Sequence, residues 1–412
     1  MPRIVFINRY FYPDHSATSQ MLSDLAFFLA ESGREVCVVA SRQRYDFPDA
    51  WLASREMVRG VEVHRVRTTR FGRANLVGRA LDYLTFYLSA AWVAFRLVRH
   101  GDVVVAKTDP PLISLVAMIV SKLRGAHLVN WLQDVFPEVA GALGMRLGRG
   151  RIGALIAAVR DCSLRAARCN VVLGERMAES VERRGIPRER IAVIPNWADD
   201  RVIVPVAASA NPLVTDWGLA GKFVAGYSGN LGRAHEFGTI LDAAGLLQDD
   251  SRVIFLVIGS GARLGQVKDE VAQRGLGNFV FQPYQPREQL AFSLGAADLH
   301  LVTLQPALEG LIVPSKFYGI AAAGRPVAFI GDKDGEIARI VCKYDCGRSF
   351  SVGDSAGLAA YVRALAQDRG EVARLGGNAR AALESNFSQA KAFDAWEKVL
   401  NIAAPNAQNA YV

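Results

Sequence analysis

Short apolar segments alternate with segments of helical periodicity along most of the chain, and this alternation restricts the possible folds more than any other feature. The apolar segments that read as β-strands are residues 4–8, 36–40, 61–66, 103–107, 127–132, 169–173, 191–194, 223–227, 253–258, 279–281, 299–304 and 326–330. Most are apolar on both faces, with a helical segment before the next strand. Such strands are typical of a parallel sheet covered by helices on both sides.

The alternation pauses near residues 195–214, in a stretch rich in Ala, Val and Pro, and then begins again. A chain of 412 residues is long enough for two domains of roughly 150 residues or more. We therefore predict two doubly wound α/β domains of the Rossmann-like type, at residues 1–200 and 201–385. Residues 386–412 are predicted to form a helix that packs back on the first domain. Ligands of such sheets bind at the carboxyl ends of the strands, so the expected site is a central cleft that the two domains face.

The formal charge of +8 is concentrated in the first half of the chain. Residues 1–200 contain 28 basic and 20 acidic side chains, whereas the remainder has 20 of each. An excess of cations indicates an anionic partner, such as a nucleic acid, a membrane surface or a phosphorylated substrate. The five cysteines form no CxxC pair, and the first residues lack the order of a signal peptide, so we expect a cytoplasmic protein without a zinc site.

Two glycine-containing turns in the second half are the candidate phosphate sites. The first strand is not followed by GxGxxG, which argues against NAD chemistry, and the absence of GxxxxGK[ST] excludes a P-loop. The first turn, residues 227–233, follows a strand, and its backbone N–H groups together with Arg233 suit a diphosphate. In the second, residues 309–327, Ser315 and Lys316 open a helix. A lysine at that position opposes the helix dipole and therefore favours a bound anion.

Nine short motifs are distributed in order over about 300 residues of the chain. They are YPDHSAT (12–18), TDPPL (108–112), QDVFPE (133–138), IPN (194–196), SGNLG (228–232), IGSG (258–261), FQP (281–283), AAD (296–298) and PSK (314–316). In these motifs the chain resembles the family 4 glycosyltransferases of GT-B architecture. The similarity is to the bacterial members of exopolysaccharide, O-antigen and colanic acid biosynthesis.

The resemblance implies transfer of a sugar from a nucleotide-sugar donor, with a UDP-sugar expected, by a retaining mechanism that needs no metal or other cofactor. The residues implied in donor binding are Ser228, Gly229, Asn230, Gly232, Arg233, Gly259, Gln282, Pro283, Tyr284, Ser315 and Lys316. Asp134 is implied in orienting the acceptor and Glu309 in contacting the donor sugar, while the other acceptor-side residues are Asp14, His15, Ser16 and Thr18. The second glutamate of the family's Glu-x7-Glu motif falls on Gly319.

A basic segment beside an aromatic helix predicts contact with a membrane. The cations Arg65, Arg67, Arg70 and Arg73 lie in a segment without acids, and the apolar residues 83–95 follow. That run is too short to span a bilayer, so we expect it to lie in an anionic interface. The alternative is an ordinary buried helix with a solvated arginine face. No nucleic-acid-binding module is recognisable, and we expect no nucleic-acid partner.

Relatives of the resembled family extend sugars on a polyprenyl-diphosphate lipid, which implies a polyprenyl-diphosphate-linked saccharide acceptor. The enzyme is then expected on the inner face of the cytoplasmic membrane. Two alternatives share the nucleotide-sugar site. A UDP-sugar 2-epimerase of related fold would want a richer set of His and carboxylate side chains than six scattered histidines supply. A non-catalytic nucleotide-sugar-binding protein is the other, and the missing second glutamate favours it.

Overall fold

The computed structural model describes residues 2–14, 16–44, 51–71 and 76–403, and the chain divides into two compact units. The N-terminal unit extends to Pro195 and also includes the chain from Phe393 onward. The C-terminal unit is Asn196–Ala392. Each unit is a twisted, mostly parallel sheet with helices packed on it.

The sheet of the N-terminal unit has eight strands in the order β3-β4-β2-β1-β5-β6-β7-β8. Their bounds are β1 Ile4–Ile7, β2 Val36–Ser41, β3 Arg55–Val58, β4 Val61–Val66, β5 Val103–Lys107, β6 His127–Trp131, β7 Cys169–Val172 and β8 Ile191–Val193. All neighbours pair in parallel except the edge strand β3, which runs antiparallel to β4. The central strands β1, β2 and β5 are buried along their whole length, because helices cover both faces of the sheet.

The helices of this unit are α1 Ala17–Glu31, α2 Leu76–Leu97, α3 Ile113–Arg124, α4 Glu138–Ala142, α5 Gly150–Ala166 and α6 Glu175–Glu182. Phe86, Ala90 and Ala94 of α2 pack with Ala117 of α3 on the apolar side chains of the central strands. The order reverses at β1, because β2 lies on one side of it and β5 on the other. In sheets of this type the ligand site lies outside the carboxyl ends of the strands at such a reversal.

The C-terminal unit repeats the plan with six parallel strands in the order β11-β10-β9-β12-β13-β14. The strands are β9 Phe223–Ser228, β10 Val253–Ile258, β11 Phe279–Gln282, β12 Leu299–Thr303, β13 Val327–Ile330 and β14 Gly347–Phe350. The helices are α7 Pro212–Asp216, α8 Gly238–Gly245, α9 Leu264–Gln273, α10 Leu290–Gly295, α11 Lys316–Ala322, α12 Glu336–Lys343, α13 Ser355–Gln367 and α14 Arg369–Ala382. The strand order reverses between β9 and β12, which predicts the ligand site beside their carboxyl ends.

The last helix, α15 Gln389–Ala403, begins in the C-terminal unit and continues into the N-terminal one. Phe393 stacks on Phe28 of α1, with ring centroids 4.5 Å apart. Trp396 is fully buried against Trp131 at the end of β6, also at 4.5 Å. The end of the chain therefore completes the core of the unit in which the chain begins.

The twelve predicted strands are confirmed to within one residue at each end. Two strands were not predicted. In β3 the residues alternate between exposed and partly buried, and β14 contains Gly347, Arg348 and Ser349, so neither has the apolar signal of the central strands. Cys37 and Cys169, which lie in the apolar strands β2 and β7, are buried free thiols.

Candidate active site

At the reversal point of the C-terminal sheet, Lys316 lies against the turn that follows β9. Gly229 has a φ of +130°, and a Cβ at that position would lie 3.4 Å from Cε of Lys316 and 3.5 Å from its Nζ. Only glycine adopts this backbone conformation readily. Glycine at position 229 therefore allows the Lys316 ammonium group to lie close to the turn.

The ammonium group of Lys316 is buried and has no hydrogen-bond partner within the described residues. It lies 3.7 Å from the centroid of the Tyr227 ring, which is a cation–π contact. Burial lowers the pKa of Lys316 to about 7. A buried cation without a partner is unfavourable, so a bound anion at this position would stabilise it.

Two further glycines let a second loop approach the turn after β9. A Cβ on Gly259, at φ +141°, would overlap the carbonyl oxygen of Gly229. A Cβ on Gly261, at φ +145°, would lie 2.7 Å from the backbone nitrogen of Leu231. The loops are joined by hydrogen bonds from Gly229 N to Ile258 O, 2.9 Å, and from Leu231 N to Ser260 O, 2.8 Å. The glycines thus hold the turn in a fixed position.

The far end of the same turn is anchored from β12. Nδ1 of His235 donates to the carbonyl oxygen of Thr303 at 2.7 Å, and the Thr303 hydroxyl accepts from Glu236 N at 3.2 Å. Burial and the nearby Lys316 lower the pKa of His235 to about 3, so the ring is neutral at physiological pH. Arg263 also donates to the backbone oxygen of His235, at 2.8 Å. The histidine therefore has a structural role in shaping the turn.

The remaining predicted donor residues surround this turn. In the described part of the chain, the backbone N–H groups of Asn230, Gly232 and Arg233 meet no acceptor. The Arg233 side chain is exposed, as is Ser315 at the start of α11. Gln282 ends β11, the strand beside β10, and Pro283 and Tyr284 follow it, with Tyr284 52% exposed. The structure thus brings the predicted donor-binding residues together at one end of the sheet.

The carboxylate of Glu309 is engaged by a neighbouring helix. Its Oε1 accepts from the backbone N–H of Glu336, the first residue of α12, at 2.8 Å. A Cβ on Gly335 would lie 2.8 Å from Cδ of Glu309, so that glycine makes room for the carboxylate. Glu309 therefore stabilises the start of α12, and its contact with a donor sugar stays a prediction.

A second group of polar residues lies at the reversal point of the N-terminal sheet. The side chain of Asp134, just after β6, is hydrogen-bonded to that of Thr108, and its Oδ1 is buried with no partner in the described residues. Burial, and then the charge of Asp109, raise the pKa of Asp134 to about 7. The Thr108 hydroxyl also accepts from Gln133 N at 2.8 Å. A carboxyl group that titrates near neutrality is suited to accept a proton or a hydrogen bond from a hydroxyl.

The predicted acceptor-side residues near α1 are directed to the same end of the sheet. The Thr18 hydroxyl donates to Oδ2 of Asp109 at 3.3 Å, and Oδ1 of Asp14 accepts from Ser16 N at 2.8 Å. Lys107, the last residue of β5, is fully buried, and burial holds its pKa well below the usual value. Its Nζ lies 3.6 Å from the centroid of the Trp131 ring. His15 lies outside the described residues.

The prediction that Arg65 faces a membrane is wrong. Its side chain is fully buried, forms an ion pair with Glu56 and donates to the backbone oxygen of Tyr12 at 2.7 Å. In β4 the residues alternate, which places Arg65 on the inner face, and the unpredicted strand β3 supplies its partner. Arg67 and Arg70 are exposed, and Arg70 stacks 4.6 Å over Trp51. Arg73 lies outside the described residues.

Several residues of the candidate site were not predicted from the sequence. Tyr227, Thr303 and Arg263 shape the turn after β9, and Lys107 and Asp109 lie near Asp134. Asp109 belongs to a motif that the sequence displays, whereas Tyr227 and Lys107 lie near the ends of apolar strands, and their contacts depend on how the chain packs. Among the described residues, no cluster of three or more His, Cys, Asp or Glu side chains could bind a metal ion.

Each of the two units matches a known family model. Residues 17–197 match the glycosyl transferase 4-like domain, and residues 216–382 match the glycosyl transferases group 1. The chain is 28% identical over 291 residues to WbjE of Pseudomonas aeruginosa, which is named as a glycosyltransferase, covering 71% of this chain and 72% of that one. It is 26% identical over 326 residues to WcaI of Escherichia coli K12, named as a colanic acid biosynthesis glycosyl transferase, covering 76% and 79%.

The fold is similar to that of HepE from Anabaena, whose crystal structure contains UDP-glucose. The TM-score is 0.74 at 16% sequence identity, with 97% of this chain and all of HepE covered. The same assignment follows from the two parallel-sheet α/β units, from the two family models and from the named relatives. The chain is a glycosyltransferase of GT-B fold and belongs to family 4, with a glycosyl transferase 4-like domain followed by a group 1 domain.

Proposed function

We propose that the enzyme transfers a sugar from a UDP-sugar to a lipid-linked saccharide during the synthesis of a cell-surface polysaccharide. The C-terminal unit binds the donor, and the N-terminal unit orients the acceptor. WcaI is named for colanic acid biosynthesis, and HepE was crystallised with UDP-glucose, which supports this choice of product and donor class.

The proposal rests on the ammonium group of Lys316, which is buried and has no hydrogen-bond partner within the described residues. It lies beside Gly229 in the turn after β9, where the backbone N–H groups of Asn230, Gly232 and Arg233 meet no acceptor within the described residues, and Arg233 is exposed on the same turn. A diphosphate here would receive one buried positive charge and several backbone hydrogen bonds. These groups stabilise the negative charge that develops on the leaving diphosphate, so we propose that transfer needs no metal ion.

On the acceptor side, Asp134 orients the attacking hydroxyl group. In the reaction the bond between the anomeric carbon and the diphosphate oxygen breaks, a bond to the acceptor oxygen forms, and the proton of the acceptor hydroxyl passes to the departing diphosphate oxygen. The carboxylate form of Asp134 accepts a hydrogen bond from that hydroxyl, and its unpartnered Oδ1 is available for this contact. We propose retention of configuration, as in the family that the motifs resemble, with no covalent intermediate on the protein.

The acceptor proposed is a saccharide on polyprenyl diphosphate, which places the enzyme at the inner face of the cytoplasmic membrane. No described helix is long and apolar enough to cross a membrane. The N-terminal unit contains the excess of basic residues, which favours an anionic surface as its partner.

Titration calorimetry with UDP tests the donor site. Lys316→Ala should weaken UDP binding by about 10- to 100-fold, because a charge-assisted hydrogen bond contributes about 1.5–3 kcal/mol. Lys343→Ala, which removes an exposed lysine from the last turn of α12, should bind like the wild type. Circular dichroism checks that both variants are folded. Unchanged affinity in a folded Lys316→Ala protein would contradict the assignment.

A further inference from the structure

The helix α2 is apolar on two opposite sides. One side, with Phe86, Ala90 and Ala94, is buried in the core of the N-terminal unit. The other side is exposed to solvent and contains large apolar residues at intervals of three or four, each 39–67% exposed: Val77, Leu81, Leu84, Leu88, Trp92 and Phe95. Such spacing forms one continuous stripe along a helix.

Two neighbouring helices, α3 and α5, also expose apolar side chains. α3 packs between α2 and α5, and the Arg124 guanidinium of α3 stacks 5.1 Å over Phe95 of α2. Five further apolar side chains of α3 and α5 are 42–67% exposed: Ile119, Leu123, Ile152, Leu155 and Val159. We call these eleven residues of α2, α3 and α5 the outer apolar face. Contiguous apolar surface on this scale marks a site of interaction.

The charges around the outer apolar face have one sign. Exposed cations on or next to the three helices are Arg96, Arg99, Lys122, Arg146, Arg149, Arg151 and Arg165. The three helices contain only two acids, Asp82 and Asp161, and both are buried. Asp82 accepts from Thr69 at 2.8 Å, and Asp161 pairs with Arg160 at 2.7 Å. The face therefore presents apolar and positive groups to solvent and no carboxylate.

We propose that the outer apolar face lies in the headgroup region of an anionic bilayer, with its apolar side chains in the acyl boundary. Trp92 lies 4.3 Å below the Arg96 guanidinium, a pairing suited to a site that is apolar at one end and anionic at the other. A symmetric contact with a second copy would place cations against cations, which the charge pattern disfavours. The inference deepens the proposed function, because it names the surface that brings the enzyme to a lipid-linked acceptor.

Co-sedimentation with phosphatidylglycerol vesicles tests the proposal on the full chain. The triple variant Leu84→Gln, Leu88→Gln, Trp92→Gln should bind at least about tenfold more weakly, since each side chain loses apolar burial. A matched triple variant in the C-terminal unit, Val202→Gln, Leu246→Gln, Val352→Gln, removes equally exposed apolar groups and should bind like the wild type. Binding should fall in 1 M salt, where the Debye length is about 3 Å.

A second readout does not depend on the stability of the triple variant. Addition of vesicles should shift tryptophan emission to the blue, and Trp92→Phe should remove most of that shift while preserving binding. Equal vesicle binding by the two folded triple variants would overturn the proposal. So would a concentration-dependent dimer, in the absence of lipid, that the α2 variant alone abolishes. Because UDP affinity is measured without vesicles, failure of the docking surface and failure of the donor site are distinguishable.

Discussion

Two buried ionisable side chains, one in each unit, titrate near neutrality for opposite physical reasons. Lys316 loses its proton easily because burial disfavours the ammonium ion, and its pKa falls to about 7. Asp134 keeps its proton because burial and the adjacent Asp109 disfavour the carboxylate, and its pKa rises to about 7. Both lie at reversal points of their sheets, where a ligand that pairs with the charged form would replace water.

The pH dependence of the reaction follows from these two groups. In the proposed mechanism the donor binds to protonated Lys316. The kcat/KM for the donor should therefore fall as pH rises above about 7. Acceptor orientation needs ionised Asp134, so kcat/KM should also fall as pH drops below about 7. The predicted profile of kcat/KM for the wild type is a bell with its maximum near pH 7, which initial rates at saturating acceptor would measure.

Asp134→Asn separates the two limbs. The variant should be slower at pH 8 by about 10- to 100-fold, because a neutral amide oxygen is a weaker hydrogen-bond acceptor than a carboxylate. Since the amide does not titrate, the acidic limb of the profile should be absent. The alkaline limb should persist, since Lys316 is unchanged. An unaltered acidic limb in a folded Asp134→Asn enzyme would show that another group titrates there.

Among the structural elements, the turn after β9 is shaped by glycines rather than by side chains that contact a ligand. Gly259 and Gly261 begin the loop after β10, and each allows the backbone of the neighbouring turn to approach closer than a Cβ would permit. His235 and Arg263 fix the other end of the turn through backbone oxygens. The position of the N–H groups near Lys316 is therefore a property of two loops packed together.

Gly259→Ala should disrupt this packing. Its Cβ would overlap the Gly229 carbonyl oxygen at φ +141°, so we expect a loss of at least about 2 kcal/mol in stability and weaker UDP binding. Gly265→Ala, in α9, is the matched control, because a Cβ there has no neighbour within 4 Å. Urea denaturation and UDP titration measure both. A Gly259→Ala protein as stable as the control would contradict the role given to this glycine.

The elements that the sequence predicts well are those whose signal is local. Strands such as β10 and β13 are uniformly apolar and bounded by turns, so their ends are predicted to within one residue. The edge strand β3 has no such pattern. Because β3 is not predicted, the buried ion pair of Arg65 with Glu56 cannot be predicted from the sequence either. Lys316 is predictable from its place at a helix start, but its contact with Tyr227 depends on how β9 packs against α11.

At the scale of the whole molecule, the chain ends in the unit in which it begins. Trp396 of α15 is fully buried against Trp131, and Phe393 stacks on Phe28. The helix follows the C-terminal unit in sequence but contributes to the core of the N-terminal unit. Unfolding of α15 should therefore affect the unit that contains Asp134.

Trp396→Ala tests this assignment. Removal of a fully buried tryptophan should lower the free energy of unfolding by about 3–5 kcal/mol. Amide exchange should quicken in peptides covering β5 and β6 and stay slow in those covering β9 and β12. Trp396→Phe, which preserves an aromatic contact with Trp131, is the milder control. Faster exchange confined to the C-terminal unit would contradict the assignment.

We propose that the enzyme transfers a sugar from a nucleotide donor that Lys316 binds. The most direct measurement is release of the nucleotide from a panel of nucleotide sugars, with and without a polyprenyl-diphosphate-linked saccharide, for the wild type and folded Lys316→Ala. We expect UDP release that depends on the acceptor and is lost in the variant. Isomerisation of the donor without release, binding without turnover, or normal turnover by Lys316→Ala would each contradict it.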